Sequence, residues 1–167
     1  MNNELTKEDI AKMRAELDER RLKLMPELIE EVKRTRAFGD LSENYEYKAA
    51  KQAQNRNKSR IRYLERMIAS ARIIEDRSAE DEVGLYDEVE LYLEEDGETE
   101  TIRVVTTVRT DPLNGLVSKD SPQGRAVLGH RVGDRVTVQV DDGYSYTAVI
   151  RSLKKGSDDG SAALLQY

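Results

Sequence analysis

The chain has no cysteine and no tryptophan, and only one phenylalanine and one histidine among 167 residues. Without cysteine there is no disulfide, no thiolate zinc site and no thiol nucleophile. His130 stands alone, too few ligands for a zinc centre, and reads as a loop or surface residue. No glycine-rich phosphate loop and no Ser/His/Asp triad is present. No run is long and apolar enough to span a membrane and no signal-peptide pattern appears, so a soluble, cytoplasmic protein without a membrane partner is expected. With 5% aromatic and 36% charged residues, one large globular core is not expected. An elongated helical part followed by a small domain fits the composition better.

The net charge of -6 argues against a general DNA-binding protein, but it is unevenly spread. Residues 1–76 carry 17 Lys+Arg against 15 Asp+Glu, a net of +2, and residues 77–167 carry 10 against 18, a net of -8. Such asymmetry points to halves with different partners.

The first half has helical spacing. Thr6 is placed as an N-cap with Asp9 three residues on, and Leu5 and Ile10 occupy the positions of a hydrophobic staple. Ile10, Met13, Leu17 and Leu24 follow a 3-4 spacing, which Leu28, Ile29 and Val32 continue; Arg20 interrupts it, and Pro26 is expected to remove a hydrogen bond and bend the helix. From Lys7 to Phe38 such a helix is about 48 Å long at about 1.5 Å per residue. A second helix is expected from Ser42 to Glu75, with Tyr47, Gln54, Ile61 and Ile68 as one heptad set and Ala50, Asn57, Leu64 and Ala71 as the other. The short turn forces the helices antiparallel. The seam is polar near the turn, at Gln54 and Asn57, and packing is expected to be weaker there.

At the tip of this hairpin stands Gly39-Asp40-Leu41-Ser42-Glu43-Asn44-Tyr45-Glu46, with two carboxylates, Asp40 and Glu43, flanking Ser42. A hairpin tip is the point farthest from a core, so its carboxylates can be delivered into another molecule's cleft. The plainer reading is an acidic capping box for the second helix, with Asp40 as N-cap and Glu43 at N3. The second helix also carries Lys48, Lys51, Arg56, Lys58, Arg60, Arg62, Arg66 and Arg72, with Glu65 the only acid over residues 48–72. Such a run is either a solvated face or a surface for phosphates; Arg36, Lys51 and Arg56 lie nearest the tip.

The second half reads as β structure with one short helix. Val89, Leu91 and Leu93 alternate before Asp96-Gly97, Ile102 to Val108 is rich in β-branched residues, and Val136, Val138 and Val140 alternate before Asp142-Gly143, with Tyr144 to Ile150 after it. Both Asp-Gly pairs are hairpin signals. Ser121-Pro122 has the form of an N-cap and N1, and Gly129 of a C′ residue. The expected division is a coiled-coil hairpin over 1–76, a linker over 77–84, a β domain over 85–155 and a disordered tail over 156–167, in which Leu164 and Leu165 are the residues able to pack.

These residues carry a resemblance. Gly-Asp-Leu-Ser-Glu-Asn-x-Glu-Tyr from Gly39, then Lys48-Ala49-Ala50-Lys51 and Arg60-Ile61, resembles the signature of the bacterial Gre transcript-cleavage factors. Asp111-Pro112, Leu116-Val117-Ser118, Ser121-Pro122-x-Gly124-x-Ala126-x-Leu128-Gly129 and Val132-Gly133-Asp134 follow that family's C-terminal pattern. The basic Asn55-Arg56-Asn57-Lys58 stretch, Leu85-Tyr86-Asp87 in place of a Phe-Gly, and the tail after Gly156 depart from it. The resemblance implies an α+β chain: an antiparallel two-helix coiled coil followed by a small FKBP-like antiparallel β domain with one short helix. A prolyl isomerase activity is not expected, because residues 77–167 hold no Phe or Trp to line a pocket.

The resemblance further implies a monomeric factor, not itself an enzyme, that binds bacterial RNA polymerase. It would push its coiled coil down the secondary channel and stimulate cleavage of nascent RNA when the polymerase has backtracked. By motif position Asp40 and Glu43, with Ser42 in support, act in the polymerase's active site and help hold the second catalytic Mg²⁺. The factor would have no cofactor of its own. Arg36, Lys51 and Arg56 would contact the RNA 3′ segment, and Asp120, Ser121 and Pro122 the polymerase. A channel-binding regulator without cleavage activity and a structural coiled-coil adaptor remain as alternatives.

Overall fold

The computed structural model describes residues 3–39 and 44–166. They form two compact units, one of the residues up to Asp9 together with Ile73–Gln166, the other of Ile10–Arg72.

The helical unit is an antiparallel hairpin entered through α1 (Lys7–Glu19). Its start is the expected reciprocal box: the Thr6 N–H donates to Asp9 Oδ2 at 2.9 Å, and the Asp9 N–H to Thr6 Oγ at 3.1 Å. Met13 and Leu17 are buried as the spacing requires. At Arg20–Leu24 the chain passes into π-helical turns before α2 (Met25–Arg36), and the Met25 N–H reaches back five residues to the Arg20 carbonyl. Pro26 explains the change: it brings no N–H and its ring crowds the carbonyl four residues earlier, and a π segment absorbs both without ending the helix.

The second helix, α3, runs Tyr45–Ser70, shorter at both ends than the expected Ser42–Glu75. Asn44 caps its start. At its end Ala71 turns extended, and Arg72–Ile73 form β2 against β1 (Glu4–Leu5), with the Ile74 N–H on the Leu5 carbonyl at 2.9 Å. The β-branched Ile73-Ile74 pair favours that extended course.

Ala50, Gln54, Asn57 and Leu64 are buried in the seam as expected, but Arg60 and Met67 take the places foreseen for Ile61 and Ile68. The spacing 54-57-60-64 is a slip of one residue in the heptads. It falls where Asn57 meets Arg20, at the start of the π segment: Arg20 Nη1 donates to Asn57 Oδ1 at 3.0 Å, and Asn57 Nδ2 to the Arg20 carbonyl at 3.2 Å. One step along, Arg60 donates to both oxygens of Glu16, Nε at 2.7 Å and Nη2 at 3.1 Å. The seam therefore carries a polar layer of four residues between apolar contacts.

The β unit is a five-stranded sheet in the order β5-β4-β3-β7-β6. Its strands are β3 (Glu88–Leu93), β4 (Glu98–Val105), β5 (Leu116–Ser118), β6 (Arg135–Asp141) and β7 (Tyr144–Lys154). Both Asp-Gly turns join antiparallel neighbours, β3–β4 and β6–β7. The sheet is mixed, not wholly antiparallel, because β5 pairs in parallel with β4. A three-residue strand shows no period of its own, and it reaches β4 by a crossover through two 3₁₀ turns, Thr107–Arg109 and Pro112–Asn114. The first of these turns also ends β4 at Val105, before the expected Val108.

The short helix α4 (Pro122–Val127) covers one face of this sheet, with Val127 fully buried among Val89, Leu91, Ile102, Val104, Val136, Ala148 and Ile150. Fully burying an aliphatic side chain of this size contributes about 1.5–3 kcal/mol. Gly129 follows the helix with φ of 80°, as its C′ position demands.

Two expectations of domain layout are corrected. The residues up to Asp9 belong with the β unit, not with a hairpin domain running from residue 1 to 76. The segment after Gly156, expected to be disordered, is packed: Leu164 is buried, the Leu165 N–H donates to the Val108 carbonyl at 2.7 Å, and Asp158 is paired with Arg109. Its polar composition concealed a carboxylate placed for a buried guanidinium.

Candidate functional site

Of the residues singled out at the hairpin tip, Asp40, Ser42 and Glu43 lie outside the described residues. What the structure defines is the frame on either side of them. Thr35 is fully buried near the end of α2, its hydroxyl donating to the Glu31 carbonyl at 2.9 Å. The Thr35 carbonyl, in the last turn of the helix, accepts from the Phe38 N–H at 3.2 Å and from Asn44 Nδ2 at 2.6 Å. The Asn44 Oδ1 accepts from the Tyr47 N–H at 2.9 Å. One amide thus closes the end of α2 and caps the start of α3. Gly39 leaves the first helix with φ of 102°, in the region glycine tolerates.

Asn44 therefore holds the cap that sequence reasoning offered to Asp40, and α3 begins at Tyr45 rather than Ser42. An amide one residue before the first helical residue reaches the N3 N–H directly.

Cations rim this frame. Arg36 donates to the Tyr47 hydroxyl at 3.3 Å and stacks 5.6 Å from the ring centre. Lys48 lies over Tyr45 at 5.5 Å, and Arg34 over Phe38 at 5.2 Å. The hydrogen bond from Arg36, reinforced by the charges of Arg36 and Lys51, holds the Tyr47 phenol below its ordinary pKa. Tyr47, expected in the seam, is only half-buried and serves as the platform for Arg36. The structure brings Arg36 and Lys51 to the same tyrosine; Lys51 also donates to Gln54 at 3.3 Å. It does not bring Arg56 to them. Arg56 is five residues beyond Lys51, about 140° around the helix, and lines a shallow cleft with Asn55, Ser59, Arg60 and Tyr63.

In the β unit, Asp120, Ser121 and Pro122 form a fixed corner. Ser121 Oγ accepts from the Gly124 N–H at 3.0 Å and donates to the Ser118 carbonyl at 2.6 Å. The Asp120 carboxylate accepts from Thr107 at 3.3 Å and from Lys119 at 3.2 Å. Gly124 is required here, because a Cβ would fall 2.1 Å from the Ser118 carbonyl oxygen. An apolar groove adjoins the corner, lined by Pro112, Val117, Pro122, Val138, Val140 and Tyr146. Burial raises the pKa of Tyr146 above its ordinary value. His130 stays near the surface, its ring nitrogen 3.0 Å from Asp134.

The buried Arg109 was not foreseen. It has no exposed side-chain surface and contacts Asp9, Asp158 and the Ala162 carbonyl. A single arginine after a β-branched run gives no sign in sequence that it will be enclosed. Among the described residues no cluster of three or more His, Cys, Asp or Glu is arranged to hold a metal ion, and no helix is long and apolar enough to cross a membrane.

Residues 3–73 match the family of the transcription elongation factor N-terminal domain of GreA and GreB, and residues 78–155 the corresponding GreA/GreB C-terminal domain. The transcription elongation factor GreA of Geobacillus kaustophilus is 43% identical over 147 residues, 87% of this chain and 93% of that protein. That of Thermotoga maritima is 40% identical over 151 residues, 90% and 97% of the two chains. The GreA factor homolog 1 protein of Thermus thermophilus is 28% identical in a solved structure, covering 91% of this chain and 98% of that one at a TM-score of 0.41. With both domains matched in order across nearly its whole described length, the chain belongs to the GreA/GreB family of transcription elongation factors.

Proposed function

We propose that this chain binds bacterial RNA polymerase, inserts its helical hairpin into the secondary channel, and stimulates cleavage of nascent RNA in backtracked complexes. The observation that carries the reading is the match of both GreA/GreB domains in order along the chain, with the acidic motif standing in sequence between two antiparallel helices whose ends Asn44 ties together.

In this reading the factor is a monomer without catalysis of its own. Asp40 and Glu43 would supply oxygen ligands toward the second catalytic Mg²⁺ held by the polymerase, and Ser42 would support them. The donor set suits that ion, which prefers hard oxygen ligands, keeps several waters and is bound through one or two carboxylates. In a two-metal site the ions stabilise the attacking and leaving oxygens of the displacement. Arg36 and Lys51, gathered at Tyr47 behind the turn, would face the phosphates of the RNA 3′ segment; the solvated-face reading suits Arg56 better, given its turn away from them. The rigid corner at Asp120, Ser121 and Pro122, with its apolar groove, would grip the polymerase.

The test is an RNA cleavage assay on stalled elongation complexes of a bacterial polymerase. Added protein should shorten the transcript from its 3′ end and restore elongation. Binding to polymerase without any shortening would replace this reading with that of a non-cleaving regulator, and absence of binding would leave only a structural adaptor.

A further inference from the structure

The segment after Gly156 lies beyond both family matches, the second of which ends at residue 155. It nevertheless takes part in a buried polar cluster of the β unit. Arg109 donates from Nη1 and Nη2 to the two oxygens of Asp158, at 2.7 and 2.8 Å, and from Nε to the Ala162 carbonyl at 2.6 Å. Its fourth bond runs the other way along the chain, from Nη1 to Asp9 Oδ1 at 2.9 Å. Asp9 is itself fully buried, and its second oxygen accepts from the Thr6 N–H and from the Thr106 hydroxyl at 2.8 Å.

Three of the four bonds that satisfy this guanidinium therefore come from the last eleven described residues, and the fourth goes to Asp9, the partner of the Thr6 cap at the start of the first helix. The entry of the tail is shaped for this. Gly156 passes so close to Tyr86 that a Cβ would lie 2.4 Å from the Tyr86 carbonyl oxygen, and the Gly156 N–H is held by Asp87 Oδ1 at 2.8 Å. Tyr86, at φ of 68°, sets its ring 5.6 Å from the Arg109 guanidinium. A buried guanidinium stripped of most of its hydrogen bonds is strongly disfavoured, because neither water nor protein then replaces them.

We propose that the C-terminal segment Gly156–Gln166 is a clasp for the N-terminal segment: by completing the partners of Arg109 it fixes Arg109 against Asp9, and thereby holds the capped start of α1 to the β unit. Residues 156–166 and residues 4–9 are coupled through Arg109, although Asp158 is not a partner of any residue in 4–9 in the bonds described above.

Amide hydrogen exchange on the full chain, read peptide by peptide, tests the coupling. Asp158→Ala should speed exchange at residues 5–9 at least tenfold, together with residues 156–166, while β3 and β7 stay protected. Asp159→Ala, which alters the neighbouring carboxylate that accepts from Ser161, should leave residues 5–9 unchanged. Where Asp158→Ala fails to fold, Asp158→Asn, which keeps the size and one acceptor oxygen, gives the same comparison. Faster exchange confined to 156–166, no change in either segment, or an equal rise through every strand would each overturn the clasp.

Discussion

Glu16 is the sharpest place to perturb the helical unit. Its two oxygens accept from Arg60 at 2.7 and 3.1 Å, and one also accepts from Arg20 at 2.7 Å. The Arg60 side chain is 5% exposed, and its remaining nitrogen, Nη1, is buried without a hydrogen-bond partner. Removing the carboxylate strands a buried cation. Breaking a buried pair in this way costs about 3–5 kcal/mol; because Glu16 itself retains 18% exposure, about 2–3 kcal/mol is expected for Glu16→Gln. For a unit of this size each kcal/mol moves the melting temperature by roughly 4–8 °C, so the helical transition should fall by about 10–20 °C. Far-UV circular dichroism of the full chain reads it, since the hairpin contributes most of the helix; the two units are expected to melt separately. Glu31→Gln, which breaks the exposed pair with Arg34, should not move that transition. Replacing both Glu16 and Arg60 by Leu should recover part of the loss, because the more deeply buried cation is removed while Arg20, 22% exposed, keeps its bond to Asn57. A Glu16→Gln protein that melts with the wild type would refute the reasoning.

Further predictions concern the frame, the docking corner and the clasp. Asn44→Ala removes the cap on the Tyr47 N–H and the tie to Thr35, and should lower hairpin stability by about 1–2 kcal/mol in denaturant unfolding; an unchanged midpoint would show that neither bond matters. Gly124→Ala drives a Cβ into backbone atoms of Ser118 and Lys119, and should destabilise the β unit by about 1–3 kcal/mol and weaken competition for polymerase; unaltered melting and competition would contradict the fit of α4. Burial raises the pKa of Asp158, but the bonds from Arg109 and the Gly160 N–H and the charge of Arg109 outweigh it and hold it below the ordinary 3.8. A carboxylate with a depressed folded pKa stabilises above the unfolded value, so this contribution is complete above about pH 4 to 5 and is lost as the pH falls through the folded value. Acid titration of β-unit unfolding should show that loss, and Asp158→Asn should flatten the part of the slope due to this group. A variant with the wild-type slope would remove Asp158 from that account.

Much of the fold was legible because its signals are local. The Thr6–Asp9 box, both Asp-Gly hairpins and the Ser121-Pro122 start of α4 are each written within a few residues and each formed. Propensity failed where a distant partner decided. Arg60 displaced Ile61 in the seam because Glu16 receives it, and the slip lies opposite the π segment that Pro26 imposes. β5 is too short to show alternation. The tail has the composition of a disordered segment, and only the three-dimensional position of Arg109 makes Asp158 and Ala162 part of the core. At the candidate site, the tip motif was conspicuous in sequence, but the cap belonged to Asn44, one residue past the acidic pair. The basic residues were read by distance along the chain from the tip. Helical phase then separates Arg56 from Arg36 and Lys51.

The most direct measurement is transcript cleavage on backtracked elongation complexes at saturating factor, comparing the wild-type chain with Asp40→Ala and Glu43→Ala and checking in parallel that each variant still competes with the wild type for polymerase. The expected result, on the proposal that the carboxylates supply ligands and the β unit the grip, is that cleavage falls to the level of polymerase alone in both variants while competition stays at the wild-type level. Full cleavage by both variants would contradict the role assigned to the tip.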